Sequence, residues 1–429
     1  MGTWKNFCGW RTSRVLVSIL LASGTFRTLL HPGTIFALES PASSPRGGQP
    51  WTAPQGRPGS QTILRLARQA MKAGDQKKAL SILARLQKDD GESHFVAGEM
   101  LVEQKDYAAA ARHFHLARPT YSNPYVAGYD ETLAEINAGD YAAALKTANE
   151  LLKEGHQTAE LAELAATAYR KTGRTQEAYN ALRLATHLDP KSEEGYLGLC
   201  DIALDGEKYD LGLQITDIGL TYLPGSEKLY LQRGVMRAMK GQFEEAEKDF
   251  SKASDLGPND ALPDIALGLI AMQMGNLDKS VEDLRHATHR HPDNYYAQYW
   301  LSDALERAGA APDSKEGEER LKALEASVRL NPGYWHSRAD LGKILLALGK
   351  VDRALAELQK AAALNPAATS PLYLLAQAYR RKGEDAKARD LMARVSQMQT
   401  EERDAMPQVT LRNIVREGTS APPAGQDKH

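Results

Sequence analysis

Three histidines fall within six residues of one another, His286, His289 and His291, with Asp283 and Asp293 on either side. Imidazole and carboxylate groups are common zinc ligands, and two histidines three apart share one helical face. The same residues also fit a plain helix C-terminus, where the backbone dipole favours histidine. With 55 acidic residues in the chain, a nearby aspartate says little, and the helix-end reading is the stronger. His113 and His115 stand two apart, on different faces of a helix, and form no such set. The adjacent carboxylates Glu244–Glu245 and Glu318–Glu319 have the spacing of a solvated helix surface. The sequence contains no glycine-rich phosphate loop, paired-cysteine metal motif, haem-attachment motif or nucleophile elbow. The expectation is a non-catalytic chain with no cofactor and no metal.

The segments that hold these residues repeat. Pro190, Pro224, Pro258 and Pro292 follow one another at intervals of 34 residues. Small residues stand 24 and 12 positions before each: Ala166 and Ala178, Cys200 and Gly212, Gly234 and Ala246, Gly268 and Ser280. A period of 34 marks stacked helical hairpins, and it threads ten units through the chain. They start near Ser60, Gly91, Tyr125, Ala159, Glu193, Glu227, Ala261, Tyr295, Trp335 and Thr369. The interval Pro292 to Pro332 is 40, which places six extra residues inside the eighth unit, near 310–317. Small residues at positions 8 and 20 let paired helices approach closely, and larger apolar residues at position 24 fill the space beside them. Phe114, Leu182, Phe250, Leu284, Leu324, Leu358 and Met392 occupy that position. Cys200 stands where other units carry Gly, Ala, Ser or Thr, which makes it a buried small hydrophobe rather than a reactive thiol.

These units resemble tetratricopeptide repeats, most closely over 159–294. The helix-turn motifs Lys-Gly-Gln-Phe-Glu-Glu-Ala at 240–246 and Ala-Gly-Asp-Tyr-Ala-Ala-Ala at 138–144 are similar to the family pattern. The first three units lack the proline, and the eighth has Arg320 where a small residue belongs. The resemblance implies an all-α, right-handed solenoid whose first helices line a concave surface through positions 2, 5, 9, 12 and 13. Carried onto this chain, those positions give an apolar floor of Leu197, Leu231, Val235, Ile265 and Leu269. Tyr296, Tyr299 and Asp303 follow, then Lys343, and then Tyr373, Arg380 and Arg381 at a basic end. Family repeats that grip the C-terminal carboxylates of chaperones need a fixed set of Lys, Asn and Arg over three successive units. No three units here match: the sixth has Lys228 at position 2 but Gln232 at position 6.

Composition agrees with this assignment. Aromatic content is 7%, and 53 basic residues nearly balance 55 acidic ones. Such a balance leaves no electrostatic footprint for nucleic acid. Residues 1–37 combine basic Lys5, Arg11 and Arg14 with the apolar run Val15–Ala22, the pattern of an export signal or an uncleaved anchor. Cys8 falls in this segment, so a cleaved chain would retain Cys200 alone and no internal disulfide. Residues 38–59 read as a Pro/Ser/Gly-rich tether, 60–402 as the repeats, and 403–429 as a capping segment with a polar tail. The expected protein is an exported scaffold of a bacterial cell envelope, periplasmic once cleaved and touching membrane only through an uncleaved N-terminus. It would bind a partner protein or extended peptide in its groove. The alternative is an accessory arm that presents substrate to an envelope glycan- or peptide-processing enzyme.

Overall fold

A computed structural model describes residues 58–405, and every regular element among them is helical. Ten hairpins follow in chain order. The first five are α1 (Pro58–Lys72) with α2 (Gln76–Leu83), α3 (Gly91–Glu103) with α4 (Tyr107–Ala117), α5 (Pro124–Ala138) with α6 (Tyr141–Lys153), α7 (Ala159–Lys171) with α8 (Thr175–Leu188), and α9 (Glu193–Asp205) with α10 (Tyr209–Tyr222). The remaining five are α11 (Glu227–Met239) with α12 (Phe243–Leu256), α13 (Ala261–Gln273) with α14 (Leu277–Arg290), α15 (Tyr295–Arg307) with α16 (Lys315–Leu330), α17 (Trp335–Ala347) with α18 (Val351–Leu364), and α19 (Thr369–Arg381) with α20 (Asp385–Ala405). Residues 1–37, read above as an export signal or anchor, most of the expected tether and residues 406–429 lie outside the described residues. Pro58 and Gly59, assigned to the tether by composition, instead open α1, where a proline has no backbone hydrogen bond to forfeit. None of the described helices is long and apolar enough to cross a membrane.

Prolines set the helix ends. α8, α10, α12, α14, α16 and α18 each stop two residues before one, at Leu188, Tyr222, Leu256, Arg290, Leu330 and Leu364. A proline clashes with an α-helical residue before it, so that residue turns extended. Asp189 accordingly has φ −129° and ψ 99°, and Asn331 has φ −133° and ψ 89°. The turn inside each hairpin places one residue in the left-handed region, usually glycine, as at Gly241 with φ 75°. Two units do without it: Lys105 has φ 62° and Glu207 has φ 54°. Glu207→Gly is expected to stabilise the chain by about 0.5 kcal/mol, the relief of left-handed strain less the freedom added to the unfolded chain. A urea midpoint that stays level or falls would contradict this.

The described residues divide into two compact units, with the boundary inside α9 between Ala203 and Leu204; residues 221–223 go with the first. In the first unit, Gly98 is packed so closely on Phe114 that an added Cβ would lie 2.5 Å from the ring. Phe95 stacks on Tyr121 with centroids 4.2 Å apart. Beside them is a histidine pair, His94 buried and His113 half-buried: His94 Nδ1 and His113 Nδ1 lie 2.9 Å apart, so one ring donates to the other. The second unit repeats the packing of position 8 against position 24. A Cβ on Gly234, Gly268 or Gly342 would lie 2.4 Å from Phe250, Leu284 or Leu358 respectively. Within each unit some successive first helices pack on one another, as α1 does on α3, α5 on α7, α13 on α15 and α17 on α19. Among the described residues no two successive second helices of one unit approach to that degree, so within each unit the first helices form the inner layer.

The six extra residues of the eighth hairpin divide between turn and helix. Seven residues, 308–314, separate α15 from α16, where three separate α13 from α14. α16 has 16 residues where α14 has 14. The longer turn packs down on the helix, since a Cβ on Gly317 would lie 2.0 Å from the Ala311 carbonyl oxygen. Arg320, in a small-residue slot, is buried and forms an ion pair with Glu306.

Candidate functional site

The inner face of α15 and α17, in the second unit, carries the densest group of aromatic and charged side chains. Asn294 starts α15 by accepting from the Tyr296 and Ala297 N–H groups at 3.0 and 2.9 Å. That cap sets Tyr295, Tyr296 and Tyr299 on the first turns of the helix. The connection from α16 to α17 is fixed in turn. Arg338 Nε donates to the Pro332 carbonyl at 2.7 Å, and Ser327 Oγ donates to the Tyr295 carbonyl at 2.8 Å. Tyr334, the residue capping α17, is thereby held among the rings of α15. Its centroid lies 5.3 Å from Tyr295, 5.8 Å from Tyr296, 5.2 Å from Tyr299 and 5.0 Å from His336. Most of these contacts are edge-to-face, the favoured arrangement for rings with negative faces and positive edges. His336 also stacks on Trp335 at 3.6 Å.

Charged groups lie next to the rings. Arg307 Nε donates to Asp303 at 2.6 Å, while Arg320 and Lys343 both pair with Glu306. Asp340 has neither a hydrogen-bond nor an ion-pair partner among the described residues. Burial, and then the charges of Glu306 and Asp303, raise its carboxyl to about 7, outweighing Lys343 and Arg320. Burial raises the hydroxyls of Tyr296, Tyr299 and Tyr334, and lowers His336 to about 4, which leaves that ring neutral near pH 7. Tyr296, Tyr334, His336 and Asp340 each retain partly open surface.

The residues expected to line a groove separate into three groups. Leu197, Leu231, Val235, Ile265 and Leu269 are 0–5% exposed, so the expected apolar floor is interior packing and offers a ligand no surface. Close packing of the inner helices leaves no room for water over these positions. Tyr296, Tyr299, Asp303 and Lys343 come together around α15 and α17. Tyr373, Arg380 and Arg381 are exposed on α19, and Arg381 donates to the Leu346 carbonyl. Tyr334 and Asp340 were not anticipated because they fall at a cap and at position 6, outside the lining positions. The run Tyr334-Trp335-His336, directly after Pro332-Gly333 in a chain poor in aromatics, was the available signal.

The three clustered histidines do not converge. His291 Nε2 lies 3.1 Å from buried Asp264, which Arg290 also holds at 2.9 Å, while His286 and His289 are exposed. No three His, Cys, Asp or Glu side chains among the described residues are arranged to hold a metal. Cys200 is fully buried, and burial raises its thiol well above the usual range.

Helical hairpins packed through small residues, six of them closed by a proline, define a helical repeat protein. Tetratricopeptide repeat profiles match residues 129–193 and 265–316, and a TPR repeat profile matches 342–383. Over these residues the chain consists of tetratricopeptide repeats. No curated protein sequence matches it. Among solved structures it is similar to MamA from Desulfovibrio magneticus RS-1, at 21% identity over 42% of this chain and 97% of that one, with a TM-score of 0.36. Yeast Tom70 is similar at 16% identity over 84% of this chain and 88% of that one, with a TM-score of 0.46. YrrB, described as a TPR protein with an unusual peptide-binding site, is 18% identical over 45% of this chain and 97% of its own, with a TM-score of 0.34.

Proposed function

We propose that this protein is a non-catalytic scaffold that binds an extended peptide or a peptide-like segment of a partner protein on the inner face of α15 and α17. The observation that supports this is the partly open ring cluster around Tyr334 with the unpaired Asp340 beside it. Half-open tyrosines give a ligand both an apolar face and a polar tip, and stacked repeats use their inner surfaces for extended partners. On the same proposal the protein works in a bacterial cell envelope, a reading supported by the basic and apolar pattern of its N-terminal segment.

Selection of random dodecapeptides on the full chain tests the reading. The recovered peptides are expected to bind Tyr296→Leu and Tyr334→Leu variants at least tenfold more weakly, a difference of about 1.4 kcal/mol. Leucine keeps the bulk of each side chain and removes its ring face and hydroxyl. Peptides that bind wild type and both variants equally would overturn the assignment.

A further inference from the structure

We infer, on the reading of this face as a peptide-binding surface, that the partly open surface of Tyr296, Tyr334 and Asp340, beside buried Tyr299, receives the guanidinium of an arginine side chain. Two groups point to a missing partner. Asp340 carries a carboxylate with neither hydrogen bond nor ion pair. Tyr299 is 8% exposed; its hydroxyl keeps contact with solvent but has no hydrogen-bond partner among the described residues, and it feels the charges of Asp340 and Asp303. One donor-rich group between them would satisfy both.

The surrounding charges narrow its chemistry. Each cation nearby is already committed: Arg307 to Asp303, and Arg320 and Lys343 to Glu306. Asp340 is the carboxylate left over: Lys343 and Arg320 act on it without pairing with it, and the Tyr299 and Tyr334 rings interact with it too. Ring faces attract a cation, and an incoming carboxylate would meet Asp340 with no free base to receive it. Guanidinium suits the space better than ammonium. It is planar, stacks on rings, is weakly hydrated, and presents several N–H donors at once to Asp340 and to the Tyr299 hydroxyl.

The site is also proton-linked. The groups that interact with Asp340 are Tyr299, Asp303 and Glu306 on α15, Arg320 on α16, and Tyr334 and Lys343 on or beside α17. With its carboxyl raised to about 7, Asp340 is part-protonated near neutrality, and an entering cation ionises it. Arginine affinity therefore rises as pH climbs through about 7.

The test is calorimetric titration of the full chain with acetyl-Ala-Ala-Arg-Ala-Ala-amide, and with the peptides carrying citrulline or glutamate at the centre. Citrulline keeps the shape of arginine without its charge. The arginine peptide is expected to bind at least tenfold more tightly than the other two, and Asp340→Asn, isosteric and uncharged, to abolish that preference. Equal binding of arginine and citrulline peptides overturns the inference, as does an unchanged preference in Asp340→Asn, or no saturable binding at millimolar peptide. If the selected dodecapeptides depend on Tyr334 yet carry no arginine and ignore Asp340→Asn, the guanidinium assignment fails while the peptide-binding reading stands. Dodecapeptides indifferent to Tyr334 remove both.

Discussion

Phe250→Ala is expected to lower the unfolding free energy by about 3–5 kcal/mol. Phe250 is fully buried in α12, and its ring fills the space that Gly234 leaves open on α11. Alanine there removes the ring's burial and leaves a cavity, and Gly234 has no side chain to lean into it. Because repeat units touch only their neighbours, the loss concentrates locally. Hydrogen exchange should quicken first in α11 and α12 and in the hairpins next to them, before any distant helix. A urea-unfolding loss under 1 kcal/mol, or exchange that quickens uniformly, would show that position 24 does not carry the packing of its unit.

Acid should loosen the first unit through His94 and His113. Burial lowers both rings, and the charges of His94 and Arg112 help to bring His113 to about 4. A folded value depressed below the ordinary 6.5 means that the folded chain resists protonation. The stability from His113 is therefore complete above about 6.5 and is lost as pH falls from there to about 4, in total on the order of 3 kcal/mol. Carboxylates titrate over part of the same range, so the measurement is a comparison. His113→Gln, which can still hydrogen-bond His94, should show a shallower fall in stability between those values than wild type. Parallel pH profiles for the two chains would remove the histidine pair as the cause.

The hairpin array is legible in the sequence because its causes are local. A proline forces the residue before it out of the helix wherever it occurs, and a glycine at position 8 admits the ring at position 24 within the same hairpin. Position 5 and position 9 are different, because their exposure depends on how closely adjacent hairpins stack. The resemblance marks Leu231 and Ile265 as lining residues, yet close stacking buries both. Tyr334 and Asp340 escape such reasoning for a second reason. Their importance arises from the rings of the preceding hairpin, Tyr295, Tyr296 and Tyr299, which no reading of one unit at a time brings next to them. The histidines show the converse: three close in sequence, of which one turns in to Asp264 and two face outward.

The position of Tyr334 has a mechanical consequence. It is rooted in the connection between the eighth and ninth hairpins, and its ring is wedged against three rings of the eighth. An array of hairpins flexes like a spring, by small rotations at each joint. At this joint, opening the angle requires prying edge-to-face rings apart, each contact contributing about 0.5–1.5 kcal/mol. Under tension the joint between these hairpins should therefore be among the last to yield, and a peptide seated across it would act as a second brace.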